Sequence, residues 1–116
     1  MATIYHNAVD KVMELAIRDG VAHYSDAVSA LKAEKGTILF KNGLNQNVTI
    51  QVEGSYTPDF TDTWDVGTPV VVNTRTNGVK VLPADYYPYY RIEVTAALAP
   101  ASGTFYAWAT KYQRNR

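Results

Sequence analysis

Apolar and polar residues alternate most cleanly over Asn47-Val48-Thr49-Ile50-Gln51-Val52-Glu53-Gly54. In a strand, Val48, Ile50 and Val52 point to one face and Thr49, Gln51 and Glu53 to the other, so this stretch predicts a half-buried strand with a wet side. Just before it, Thr37-Ile38-Leu39-Phe40-Lys41 reads as a short, largely buried strand, and Asn42-Gly43 between the two is a strong turn dipeptide. The pair predicts a hairpin. Downstream, Val70-Val71-Val72 favours a strand because β-branched side chains suit a pleated surface. Asn77-Gly78 supplies a second candidate turn, and Val79-Lys80-Val81-Leu82 returns.

The N-terminal third is less decisive. Val9, Val12, Met13, Ala16 and Ile17 fit a helical stripe, whereas Met13, Leu15 and Ile17 alternate as in a strand. Both readings stay open, with strand preferred because everything downstream is β. Asp19-Gly20 marks a turn, and Tyr24-Ser25-Asp26-Ala27-Val28 reads as a strand or edge segment. Residues 1–8 show little apolar periodicity and no cap, which predicts an arm whose Ile4 and Tyr5 are available to dock on a neighbour.

The C-terminal third is aromatic. Tyr86-Tyr87-Pro88-Tyr89-Tyr90 leads into Arg91-Ile92-Glu93-Val94-Thr95, and Phe105-Tyr106-Ala107-Trp108-Ala109 forms a last strand in which either face could be the buried one. Pro83 and Pro88 bracket the tyrosines, fixing φ and withholding a ladder donor, so the corner is a bend or strand entry. Ile92 and Val94 then share a buried face.

Glycines at 20, 36, 43, 54, 67, 78 and 103 punctuate the chain at the spacing of an all-β domain. The expected architecture is a single antiparallel β-sandwich, jelly-roll-like, of about seven or eight strands. Residues 9–112 form the sandwich, with extended arms at 1–8 and 113–116. A chain of 116 residues is large enough for one continuous core.

Composition narrows the function. Eleven basic and eleven acidic side chains give a formal charge of zero, which removes the electrostatic footprint of a nucleic-acid or anionic-membrane binder. Near-neutrality also protects poorly against self-association, which suits a subunit of an assembly. Without cysteine there is no disulfide or thiolate metal site. No secretory-type leader is evident and no apolar run approaches the roughly 20 residues of a membrane span, so a soluble protein made in the cytoplasm is expected.

Candidate chemistry is sparse. His6 and His23 have no metal-ligand spacing. His23, Ser25 and Asp26 supply the residue types of a nucleophilic triad in one run, but neighbours on a strand face opposite ways, and polar decoration is the better reading. Asp59, Asp62 and Asp65 lack the calcium-loop glycine and read as aspartates capping their own turns. Asn47-Val48-Thr49 matches a glycosylation acceptor that nothing else supports. Lys111, Arg114 and Arg116 make a mildly basic tail. No catalytic residue, metal or cofactor is expected.

The stretches Gly36-Thr37-Ile38-Leu39-Phe40-Lys41-Asn42, Val48-Thr49-Ile50-Gln51-Val52-Glu53-Gly54-Ser55, Trp64-Asp65-Val66-Gly67-Thr68-Pro69-Val70-Val71-Val72, Tyr87-Pro88-Tyr89-Tyr90-Arg91-Ile92-Glu93-Val94 and Gly103-Thr104-Phe105-Tyr106-Ala107-Trp108-Ala109-Thr110 together resemble small β-sandwich proteins encoded among tailed-bacteriophage virion genes. The resemblance covers roughly residues 20–112 and is one of pattern. It implies a non-enzymatic virion protein, a capsid decoration (cement) protein bracing neighbouring subunits of the major capsid protein or another virion protein. It further implies a homo-oligomer, a trimer being favoured, with terminal arms reaching across subunits.

The contact residues expected are Ile4, Tyr5, Tyr86, Tyr87, Tyr89, Tyr90 and Trp108, since exposed tyrosine and tryptophan suit binding surfaces; the plain alternative is that the corner is core. The competing function is a carbohydrate-binding module or tail-associated adhesion protein that stacks sugars on Trp64, Trp108 or the corner tyrosines.

Overall fold

The computed structural model describes the backbone of residues 4–29, 33–82 and 87–115, and the side chains of residues 9–29, 36–78 and 87–110. Among these residues nine strands are present: β1 (Ile4–Leu15), β2 (His23–Tyr24), β3 (Val28–Ser29), β4 (Ala33–Asn42), β5 (Val48–Ser55), β6 (Trp64–Val72), β7 (Asn77–Leu82), β8 (Tyr89–Ala96) and β9 (Phe105–Asn115). They form two antiparallel sheets. The first runs β1-β9-β4-β7 and the second β2-β8-β5-β6, with β3 also pairing β8. Counting β2 and β3 as one interrupted strand, this is the eight-stranded jelly-roll order of a β-sandwich.

Alternation in β8 and β9 builds the core. Tyr90, Ile92, Val94 and Ala96 are buried on one face of β8, and Phe105, Ala107 and Ala109 on one face of β9. The last strand thus resolves in favour of its Phe/Ala face. Alanines on β9 leave room for the bulkier row on β8, and Ile38, Phe40, Val48, Ile50 and Val52 complete the same cluster. Substituting a residue as enclosed as Ile38 or Phe40 by alanine is expected to cost about 2–5 kcal/mol.

β1 explains its own ambiguous pattern. The register against β9 slips between Lys11 and Met13, a bulge that turns both Val12 and Met13 inward. Two adjacent buried residues mimic a helical stripe, yet the segment is strand. The arms expected at 1–8 and 113–116 are also strand where described: Ile4 pairs with Asn115, Tyr5 with Arg114 and Ala8 with Lys111. Backbone pairing with a long neighbour, which apolar periodicity does not report, accounts for the difference.

The hairpin predicted at Asn42-Gly43 is not formed, because β4 and β5 lie in different sheets. Asn42 is fully buried and its side chain builds a sheet-to-sheet corner: Nδ2 donates to the carbonyls of Gln46 at 2.9 Å and Val72 at 3.1 Å, and Oδ1 accepts from the Leu44 amide at 3.1 Å. Leu44 is thereby plugged into the core. Gly43 donates its N–H to the Thr104 carbonyl, and a Cβ there would lie 2.5 Å from that oxygen, so only glycine fits this close approach of two loops.

The second candidate turn is also displaced. The chain reverses at Thr74 and Arg75, with Arg75 at φ 58°, while Asn77 and Gly78 lie inside β7. Gly78 sits opposite Phe40, whose ring would be 3.2 Å from an added Cβ. Here the glycine serves packing, not reversal. The hairpin that does form joins β5 to β6 through residues 56–63.

Candidate interaction surface

The tyrosine corner is partly core and partly surface. Tyr90 is fully buried, Tyr87 and Tyr89 are half-buried, and Tyr86 lies outside the described residues. In the second sheet Gly54 stands opposite both Trp64 and Tyr90, and its missing side chain opens a slot for the Tyr87 ring. Four rings then run outward from the core. Tyr87 meets Tyr90 edge-on at 5.9 Å, stacks on Trp64 at 5.9 Å and 22°, and Trp64 packs edge-on against Tyr56 at 5.5 Å. Trp64 is 43% exposed and Tyr56 64% exposed, so this end of the sandwich presents aromatic rings to solvent.

A second aromatic pair lies on the outer face of the first sheet. Tyr106 and Trp108 alternate with the buried residues of β9 and stack with ring centres 5.7 Å apart and planes 9° from parallel. Register places Lys11 and Leu39 on either side of Trp108, and Glu14 and Lys41 on either side of Tyr106. Lys11 and Glu14 form an ion pair at 2.5 Å, which raises the Lys11 pKa through the Glu14 hydrogen bond and charge. Lys41 Nζ stands 5.9 Å from the Tyr106 ring centre. The result is a flat aromatic pair framed by charges.

The outer face of the second sheet is built differently. Arg91 and Glu53 pair across β8 and β5, with the guanidinium between Tyr24 and Phe60. Glu53, expected on a wet face, is therefore buried. The Tyr24 hydroxyl is pushed up in pKa, chiefly by the charge of Glu93 and then by burial.

Of the expected contact residues, the structure brings Tyr87 and Tyr90 together with Trp64 and Tyr56, and places Trp108 on a separate face. Ile4 and Tyr5 enter β1, but their side chains lie outside the described residues. Tyr56 and Tyr106, which pack against Trp64 and Trp108, were not among the residues expected. Alternation with Phe105, Ala107 and Ala109 marks Tyr106 once the buried face is known; no comparable signal marks Tyr56.

The remaining polar runs make local hydrogen bonds. Ser25 Oγ donates to the Asp26 carbonyl and accepts the Ile92 amide, stapling the first edge of the second sheet. His23 pairs with Asp19 at 2.7 Å, and that bond lowers the Asp19 pKa. Asp59 accepts from the Thr57 and Thr61 hydroxyls and the Thr61 amide, capping its own loop as the sequence suggests. Among the described residues, no three His, Cys, Asp or Glu side chains gather to hold a metal, and no helix is long and apolar enough to cross a membrane.

No protein-family description and no curated protein matches this chain. Solved structures do match it in fold. The PBSX exported protein XepA superposes with a TM-score of 0.69 at 12% identity, over 94% of this chain and 38% of XepA. A chain from Bacillus endospore appendages, described as disulfide-linked pili, gives 0.56 at 10% identity, over 96% of this chain and 88% of the other. PirA gives 0.51 at 11% identity, covering 96% and 93%. A chain of the infectious bursal disease virus Gx strain gives 0.50 at 11% identity, covering 97% and 32%. This chain thus spans well under half the length of XepA. The class the comparisons define is the two-sheet jelly-roll sandwich, found in proteins of several kinds.

Proposed function

We propose that this chain is a non-enzymatic structural protein of a virus particle, a decoration (cement) protein that binds and stabilises a bacteriophage shell. The observation that carries the reading is the Tyr106–Trp108 stack set flat on a rigid sheet face between Lys11–Glu14 and Lys41. Aromatic rings ringed by charges suit shallow protein contact, and symmetry multiplies such contacts over a shell without requiring one tight site. The jelly-roll likeness to XepA and to the bursal disease virus chain supports a virion setting. The partner is the major capsid protein or another virion protein, and the chain acts as a small homo-oligomer in the virion after synthesis in the host cytoplasm.

Purified protein added to undecorated shells should occupy saturable, symmetry-related positions seen by electron microscopy and raise the shell's thermal transition. Absence of both binding and shift would overturn the proposal.

The open ring faces of Tyr56 and Trp64 favour a second reading, a carbohydrate-binding or tail-associated adhesion role. Sugar stacking on Trp64 would quench tryptophan fluorescence on titration with cell-wall glycans; a flat response across a broad panel removes this reading.

A further inference from the structure

The sandwich has four edges, and they are guarded unequally. β6 carries Pro69 and a register slip near Gly67, where the disrupted ladder is bridged from β5 by Gln51 Nε2, which donates to the carbonyls of Val66 at 3.3 Å and Gly67 at 3.2 Å. Proline and bulges of this kind prevent a further strand from pairing. β2 and β3 are two residues each, too short to template anything. β7 offers six residues.

β1 is different. It runs for twelve residues and pairs, among the described residues, only with β9. From its bulge onward the free edge is engaged, since the Val12 carbonyl accepts the Asp26 amide at 2.9 Å and the segment flanks a groove of about 360 Å³ lined by Leu15, Tyr24 and Asp26. From Ile4 to Lys11 the register with β9 is unbroken, and no proline or bulge interrupts it. Val9 lies in this window, 61% exposed on the outer face beside Thr110.

We propose that this edge is a homotypic interface, in which β1 of a second copy adds antiparallel across a twofold axis at Val9. The occupant is a second copy for three reasons. An isologous antiparallel pair closes after two subunits and leaves no unmatched edge. A dyad at Val9 pairs residues 7–11 with residues 11–7 of the other copy, stopping in both at the bulge, and covers each exposed Val9 with its counterpart. The zero net charge opposes association by no long-range repulsion. Two four-stranded sheets would then join into one continuous eight-stranded sheet, leaving the Tyr106–Trp108 faces side by side. This pairing stands independently of shell binding.

The cysteine-free sequence makes the test direct. Opposed α-carbons in an antiparallel pair lie about 4.5–5.5 Å apart, within disulfide reach. Val9→Cys should therefore cross-link to a dimer under mild oxidation, while Val71→Cys on the guarded β6 edge should not. Val9→Lys places like charges opposite each other and should weaken the dimer by roughly tenfold or more in sedimentation equilibrium, with circular dichroism and melting confirming a folded monomer. A wild-type protein that stays monomeric at high concentration, a trimer, or cross-linking through Val71→Cys but not Val9→Cys would each overturn the assignment.

Discussion

Arg91 Nε donates to Glu53 Oε1 at 2.7 Å, and the two residues stand directly opposite each other in the β8–β5 ladder. The guanidinium carbon is also 4.1 Å from the Tyr24 ring centre and 4.5 Å from that of Phe60, which reaches this position at a φ of 53°. One cation thus joins β2, β5, β8 and the loop between β5 and β6. Arg91→Ala leaves a carboxylate whose side chain is only 9% exposed without its counter-charge, and is expected to cost about 2–4 kcal/mol. Arg91→Lys keeps the charge but loses the planar stacking and should fall between. Urea unfolding measures both; equal stability of Arg91→Ala and wild type would show the pair to be screened by solvent.

Asn42 provides a polar counterpart inside the core. Its side chain satisfies the carbonyls of Gln46 and Val72 and the amide of Leu44. Asn42→Ala should therefore cost about 2–3 kcal/mol and lower the melting temperature by on the order of 10 °C. Asn42→Asp should be at least as damaging, because a carboxylate cannot donate to the two carbonyls. If either variant melted like wild type, the corner would be held by Leu44 packing alone.

Gly54 and Tyr87 are coupled in the same way by close approach. A Cβ on residue 54 would lie 2.5 Å from Cγ and Cδ2 of Tyr87, so Gly54→Ala must displace the ring. Overpacking of this kind costs about 1–3 kcal/mol. Because Trp64 stacks on Tyr87, its fluorescence should also shift, and a Trp108→Phe background isolates that signal. An unchanged Trp64 spectrum would mean that the ring cluster adjusts without Tyr87.

The buried faces of β5 and β8 were legible because Val48, Ile50, Val52, Ile92 and Val94 keep period two, whereas the burial of Glu53 on the other face of β5 was not. The jelly-roll order was not. Whether β4 turns back on β5 or crosses to the other sheet depends on Asn42, whose partners Val72 and Asn73 are some thirty residues away. β1 was correctly preferred as strand, but only from the β character downstream, because its bulge breaks the alternation that identifies a strand. For the contact surface, Tyr87 and Trp108 could be singled out as aromatic. Which of the tyrosines was core depended on the pairing of Gly54 with Tyr90, a long-range fact.

Asp59 gives a pH signature. Hydrogen bonds from Thr57, then Thr61, hold its carboxyl below the ordinary value of 3.8. A pKa depressed by folding stabilises the protein above the unfolded value, and that contribution fades as pH falls through the folded one. Asp59→Asn should accordingly melt below wild type near neutral pH, with the gap closing in acid below the folded pKa. A gap that stayed constant across this range would assign the loss to loop geometry and not to charge.

Trp108 and Tyr90 separate contact from core. Tyr90 is wholly enclosed, so Tyr90→Ala should cost about 3–5 kcal/mol and reduce binding only by unfolding the protein. Trp108 is half-buried on the outer face, stacked on Tyr106 and beside Leu39, so its removal leaves the sandwich core intact. Trp108→Ala should retain the native circular dichroism spectrum and lose about 1 kcal/mol of stability with the aromatic pair. Its affinity for undecorated shells should nevertheless drop by roughly tenfold or more, as expected when a central aromatic of an interface is truncated. Binding measured by co-sedimentation at matched folded concentration distinguishes the two. Undiminished binding by Trp108→Ala would move the contact away from the outer face of the first sheet, leaving the Tyr56–Trp64 end as the surface to probe.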